Sequence, residues 1–193
     1  ELKEKGIIGL SWGENGFRHV TNSIKPIQSP EDLKGLQLRV QENKVFISAF
    51  EKLGAKPSPM AWTEALTALQ SGVVDGQENP ILVIDHYKLY DSKQKYMTLT
   101  GHAYSSAVFM LSESTYNSLP EDLRDILLEE GEKIGAFERD LVIADEESAL
   151  QRLKDNGMEV IESVDVEAFR NEIMDLYDET DNKELLQRIL DQQ

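Results

Sequence analysis

The chain has 193 residues, with 20 Lys and Arg against 36 Asp and Glu, a formal net charge of −16. That balance argues against nucleic acid, whose phosphates call for clustered Lys and Arg, and against docking on anionic membrane surfaces. There is no cysteine, which excludes disulfides, thiolate metal sites and a Cys nucleophile, and no run approaches the roughly 18 apolar residues of a bilayer span, so no direct membrane insertion is expected.

Glu1 to Lys5 reads as the end of a helix with Gly6 as its C-cap. Ile7 to Trp12 reads as a short strand and Gly13 to Gly16 as a loop. Ser29-Pro30-Glu31-Asp32-Leu33 carries a helix start, with Ser as N-cap, Pro at the first position and acids in the first turn, and Gly35 stops it after about one turn. From Leu36 to Gln41 the pattern alternates. Leu36, Leu38 and Val40 form an apolar face, and Gln37, Arg39 and Gln41 a polar one.

Asn43 caps a helix to Leu53, which Gly54 terminates, and Lys56 to Met60 is extended or a sheet edge. Thr63 is expected to cap a helix over 64–70, Val73 and Val74 to form a very short strand, and Pro80 to open a helix to about Tyr90. Two strands follow, over 96–100 and 107–111. From Pro120 to about Asp155 no proline intervenes and Asn156-Gly157 supplies a stop, a helix far beyond the mean of ~11–12 residues. Gly131 and Gly135 are its expected bend points, and so long a helix suits a bridge between two bodies. Residues 158–161 read as a strand, and 166–177 and 183–190 as helices. Alternating strands and helices indicate an α/β fold.

Arg39 sits on the polar face of its strand near the carboxyl end, where open α/β sheets bind ligands. Its planar fork of donors suits a carboxylate or phosphate, and a solvated or structurally paired Arg is the alternative. In Asp75-Gly76-Gln77-Glu78-Asn79-Pro80, Asn79 is placed at a helix N-cap beside N–H groups that favour an anion, or simply caps its own helix. Asp75 and Glu78 suggest a carboxylate pair for acid–base work, or turn and capping roles. Trp62, between an extended segment and a helix, either walls a pocket or packs an edge. Arg18 offers a second anion contact or a solvated surface charge. His19, His86 and His102 lack metal-ligand spacing, and no nucleophile elbow, phosphate loop or dinucleotide fingerprint is present. No metal or cofactor is therefore expected.

Several strings together resemble one family, the extracytoplasmic solute-binding proteins of TRAP (tripartite ATP-independent periplasmic) transporters, the DctP-like group. They are Lys25-Pro26-Ile27, the run from Pro30 to Val40, the run from Trp62 to Gly72, and Asp75 to Pro80, which is the most specific. Thr100 to Tyr104, Ser118-Leu119-Pro120 and the long helix continue the match. The resemblance implies a periplasmic-binding-protein-like α/β fold with the ligand between two lobes, most of the N-terminal lobe being absent from this chain. Residues 1–16 would end the first lobe and cross over, 17–104 form the second lobe, 105–144 return to the first with the start of the long helix, and 145–193 rejoin the second. Apolar surface left uncovered would then favour a dimer or exchanged elements.

By the same resemblance, Arg39 clamps the ligand carboxylate by a two-point salt bridge, Asn79 positions that Arg and the ligand, Trp62 is an aromatic wall and Arg18 an auxiliary contact. The implied function is capture of a small organic carboxylate, with no bond made or broken, in the periplasm or on the outer face as a lipoprotein. Delivery is to membrane permease subunits driven by an ion gradient. Sugar acids, dicarboxylates, keto acids and aromatic acids stay open as ligands. A ligand sensor with the same cleft chemistry, an enzyme acting on organic acids using Asp75, Glu78 or a His, and a structural interaction module are the rival readings.

Overall fold

Two long antiparallel strands form the spine of the structure, a computed structural model that describes residues 2–179 and 182–192. They are β1 (Ile7–Asn22) and β5 (Tyr96–Ser112), paired from Ile7↔Ser112 to Asn22↔Tyr96 with register shifts at Gly9/Ser11, Glu14/Gly16 and Arg18/Val20. The expected loop at Gly13–Gly16 is therefore strand, and the two strands expected over 96–111 are one. The reason is the partner: each glycine-bearing stretch is held by the other's ladder, and the irregularities are absorbed as bulges, with Gly16 at φ +97°.

The other strands are β2 (Gln37–Val40), β3 (Lys56–Pro59), β4 (Gly76–Pro80) and β6 (Glu159–Ile161), and the sheet order is β3-β2-β4-β1-β5-β6. β2 runs parallel to β3 and β4, β5 parallel to β6, and β1 antiparallel to both its neighbours. Proline-rich β3 takes an edge, where its missing N–H groups cost nothing. The helices are α1 (Lys44–Lys52), α2 (Trp62–Ser71), α3 (Ile81–His86), α4 (Glu113–Ser118), α5 (Glu121–Asp155), α6 (Val166–Ile173) and α7 (Lys183–Leu190).

Local signals act as their chemistry requires in several places. The Asn43 side chain accepts from Val45 N, capping α1, and Ser29 with Asp32 forms a capping box on a single 3-10 turn, Pro30–Leu33. The expected first helix is one 3-10 turn, Lys3–Lys5, closed by left-handed Gly6; its Glu1 end lies outside the described residues.

Other elements differ from expectation. Thr63 lies inside α2, whose N-cap is Ala61. Val73 and Val74 lie in the turn before β4, and it is Gly76–Pro80 that pairs with β1 and β2. The helix opened at Pro80 ends at His86, because Lys88 adopts φ 48°, and a 3-10 turn, Leu89–Ser92, follows. The helix expected over 166–177 is α6 continued by a 3-10 segment, Met174–Glu179.

Two apolar clusters hold the sheet. Val20, Leu38 and Val40 pack with Ile27, Leu33, Phe50 and Phe169 under α1 and α6. Met97 packs with Ile84, Leu89, Ala149, Leu153 and Met158, against α2, α3 and the end of α5. At 1.5 Å per residue the 35-residue α5 is about 52 Å long, so it reaches from this cluster to the far end of β1. Gly131 and Gly135 seat it there: a Cβ on Gly135 would lie 2.2 Å from the Trp12 carbonyl oxygen. They serve close approach to β1, the role that the expected bend points turn out to have. Along this outer stretch Trp12, Phe17, Tyr104, Met110, Phe137 and Leu141 are exposed, Trp12 by 65%. Among the described residues no helix is long and apolar enough to cross a membrane.

Candidate functional site

Strand β4 is buried along its whole length although its sequence, Gly-Gln-Glu-Asn-Pro, has no large apolar side chain. Buried polar groups must find partners, and each of these does. Gln77 Nε2 donates to Thr21 Oγ1 at 2.9 Å, and Asn79 Nδ2 donates to Gln77 Oε1 at 2.5 Å. Thr21 Oγ1 in turn donates to Gln94 Oε1 at 2.8 Å. Gly76 lets the strands approach: a Cβ there would lie 2.1 Å from the Thr21 carbonyl oxygen.

Glu78 is fully buried and faces Arg18, itself only 3% exposed. Arg18 Nε donates to Glu78 Oε2 at 2.5 Å, and Nη2 to Oε1 at 3.0 Å and to the Glu78 carbonyl at 2.8 Å. Nη2 also donates to Asn79 Oδ1 at 2.9 Å. With its amide oxygen turned inward, Gln41 accepts from Nη2 and Nη1 at 2.9 and 3.1 Å. His102 Nε2 lies 3.2 Å from Glu78 Oε2, and its Nδ1 lies 2.8 Å from Thr100 Oγ1. Burial pushes the Glu78 carboxyl up, but the His102 and Arg18 hydrogen bonds and the Arg18 charge outweigh it and hold the group below the usual carboxylate range.

Arg39 sits next to this pair in a different electrostatic state. Its β2 position pairs with Gln77 on one side and Ser58 on the other, and strand alternation turns it away from Leu38 and Val40. It is 5% exposed, so it is not the solvated surface Arg that was the alternative; the Met60–Trp62 segment covers it. Nε and Nη2 both donate to the Met60 carbonyl, at 3.1 and 2.8 Å, and the guanidinium carbon lies 5.3 Å from the centre of the Trp62 ring. Among the described residues no carboxylate lies within salt-bridge range of Arg39, whereas Arg18 is held by Glu78. Burial lowers the Arg39 pKa and Glu78 raises it in part, while Arg18 opposes; an Arg so far above neutrality stays charged.

Arg18, Arg39, Gln41, Trp62, Asn79 and Tyr87 share the wall of one cavity of about 480 Å³, with Glu42, Met60, Ala61 and Val83. The four residues that the resemblance names as ligand contacts, Arg18, Arg39, Trp62 and Asn79, therefore line one cavity. Trp62 packs edge-on against Tyr87 at 5.1 Å, and its buried indole N–H has no partner among the described residues.

Two expectations need correcting. Asn79 is not a helix N-cap, because pairing with β1 draws it into β4, and its side chain bonds Arg18 and Gln77. Asp75 and Glu78 do not form a carboxylate pair: Asp75 Oδ2 accepts from Gln37 N at 2.8 Å, and Glu78 belongs to Arg18. Gln41 and His102 were given no site role in the sequence, and Tyr87 was not singled out. Gln41 shares the polar face of β2 with Arg39, a signal present in the alternation; Tyr87 and His102 arrive from distant segments and carry none. Among the described residues no group of three or more His, Cys, Asp or Glu could hold a metal ion.

In sequence and fold the chain is similar to known proteins. The profile of the bacterial extracellular solute-binding proteins, family 7 (DctP), matches residues 1–184. A solute-binding protein of Verminephrobacter eiseniae is 41% identical over 165 residues, 86% of this chain and 49% of its own length. The 2,3-diketo-L-gulonate-binding periplasmic protein YiaO of Escherichia coli is 35% identical over 180 residues, 91% of this chain and 55% of its own. The crystal structure of a TRAP periplasmic solute-binding protein from Polaromonas, bound to D-erythronate, superposes with a TM-score of 0.86 at 44% identity, over 92% of this chain and 58% of that one. The chain thus spans about half the length of the curated relatives it matches. With the profile covering all but its last nine residues and the fold matched at high identity, this chain belongs to the DctP family of bacterial extracellular solute-binding proteins.

Proposed function

We propose that the chain supplies the carboxylate-recognising part of a TRAP-type solute-binding protein, and that Arg39 is the clamp. The observation that carries this reading is the unequal state of the two arginines. Arg18 is neutralised by Glu78, while Arg39 holds a buried charge with no carboxylate in salt-bridge range among the described residues. Its Nε–Nη2 edge is taken by the Met60 carbonyl, so the Nη1–Nη2 edge is left for a ligand. That edge matches a carboxylate in a two-point, charge-assisted pair.

Trp62 would wall the cavity and stack on the clamp, and Asn79 and Arg18 would fix the floor behind the ligand. Asn79 would act through Arg18, to which it is bonded. The region of about 17–104 would be one lobe of the full binding protein, with residues 105–144 running to the other lobe and 145–193 returning. The exposed apolar stretch around Trp12 and Phe137 suits such a division. Closing the lobes would exclude water and strengthen the ion pair. The protein would work outside the cytoplasm, handing its acid to membrane permease subunits without chemical change. The small organic acids named for relatives, D-erythronate and 2,3-diketo-L-gulonate, are the first ligands to try.

Calorimetric titration of the full chain with a panel of small acids, beside Arg39→Ala, tests the reading. Removing one side of a buried ion pair should weaken the bound acid by about 30-fold or more, about 2 kcal/mol. An acid that binds Arg39→Ala as tightly as the unmodified protein would overturn the clamp.

A further inference from the structure

The cavity's charge count points to more than carboxylate recognition. Three charged side chains line it: Arg18, Arg39 and Glu42. Arg18 is paired with the two Glu78 oxygens and bonded to the oxygens of Asn79 and Gln41, so its charge is cancelled and its Nε and Nη2 donors are taken. Arg39 is the remaining cation, and Glu42 is an exposed carboxylate on the same wall. The Arg18–Glu78 pair contributes no net charge, which leaves Arg39 as the one lining cation without a carboxylate in salt-bridge range among the described residues, and Glu42 as an anion on the same wall.

We infer that this site selects acids carrying a single negative charge and discriminates against dicarboxylates of the same size and shape. The inference rests on the carboxylate reading above and adds the charge class of the ligand. A first carboxylate is desolvated against Arg39 and repaid by a two-point pair. A second one would lose water with no cation on this wall to receive it, and would stand near Glu42. Burying an unpaired charge is costly, whereas a hydroxyl in the same place needs only a hydrogen-bond partner. Size alone does not discriminate here, because the cavity of about 480 Å³ accommodates either kind of small acid.

The test uses pairs that differ only at one end, a terminal CH₂OH against a terminal carboxylate. D-Erythronate with meso-tartrate, D-gluconate with D-glucarate, and D-galactonate with galactarate are titrated into the full chain at pH 7.5. In a pair that binds, the monoacid should be tighter by about tenfold or more, the cost of a poorly paired second carboxylate. A diacid that binds as tightly as its partner overturns this inference and leaves the Arg39 clamp standing. If no acid of either kind binds the folded protein, both fall together. Glu78→Gln gives an independent check, since it keeps the shape and releases the Arg18 charge. It should shift the ratio toward the diacid, and an unchanged ratio in a folded variant also overturns the charge count. Where that variant does not fold, the ratio in the unmodified protein decides.

Discussion

His19 makes a sharp prediction about acid stability. It is buried on β1, and its Nδ1 faces the Gly101 N–H at 3.1 Å, so that nitrogen accepts and carries no proton. Protonation would place two N–H groups face to face. Burial, with the nearby His102 charge adding to it, pushes its pKa down from 6.5 to about 4. A folded-state pKa below the unfolded value means the unfolded chain binds the proton first. The His19 contribution is therefore fully present above pH 6.5 and lost as pH falls from there to about 4. At about 1.4 kcal/mol per pH unit, that gap is worth about 3 kcal/mol.

His19→Gln is neutral throughout and keeps an acceptor for Gly101. Urea unfolding of both proteins at pH 7.5, 6.5, 5.5 and 4.5 isolates the effect. The unmodified protein should lose about 2.5 kcal/mol more than the variant across that range. The Glu78 contribution does not intrude. A carboxylate held below its ordinary value of 4.5 stabilises above that pH and is lost only as pH falls further, in both proteins alike. Identical pH slopes for the two proteins would refute the reasoning.

Gly135→Ala should destabilise by about 1–3 kcal/mol in thermal unfolding even though Ala favours helix, because the Trp12 carbonyl at 2.2 Å is backbone that cannot yield. Gly131→Ala, whose nearest neighbours are Leu10 side-chain atoms at 3.0–3.1 Å, should be milder. Trp62→Ala removes the ring stacked on Arg39 and should weaken acid binding about fivefold to tenfold, about 1 kcal/mol of cation–π contact, in calorimetric titration.

The parts of the fold legible in the sequence are those decided within a few residues. Asn43 capping α1, Ser29-Pro30 opening one turn, and the stretch from Pro120 to Asn156-Gly157 bounding α5 each follow from local backbone chemistry. What escaped was decided by partners far away. Gly13 and Gly16 look like a loop until β5 pairs with them, and Gly-Gln-Glu-Asn-Pro looks like a turn until Thr21, Arg18 and Leu38 close around it. Apolar periodicity is blind to a strand whose buried partners are polar. Of the candidate site, the strand position of Arg39 left a solvated or structurally paired Arg open, and it was the resemblance that marked it as a ligand contact. Its distinction from Arg18 was not legible, because Glu78 lies 60 residues from Arg18 in the chain and only the ladder between β1 and β4 brings them together.

That distinction is the heart of the functional account, and a crystal structure of the full chain with a bound small acid tests it most directly. The account predicts the ligand carboxylate against the Nη1–Nη2 edge of Arg39, over Trp62, with Arg18 still paired to Glu78. A carboxylate seated on Arg18 with Glu78 displaced, or one that leaves Arg39 without an anionic partner, would contradict it.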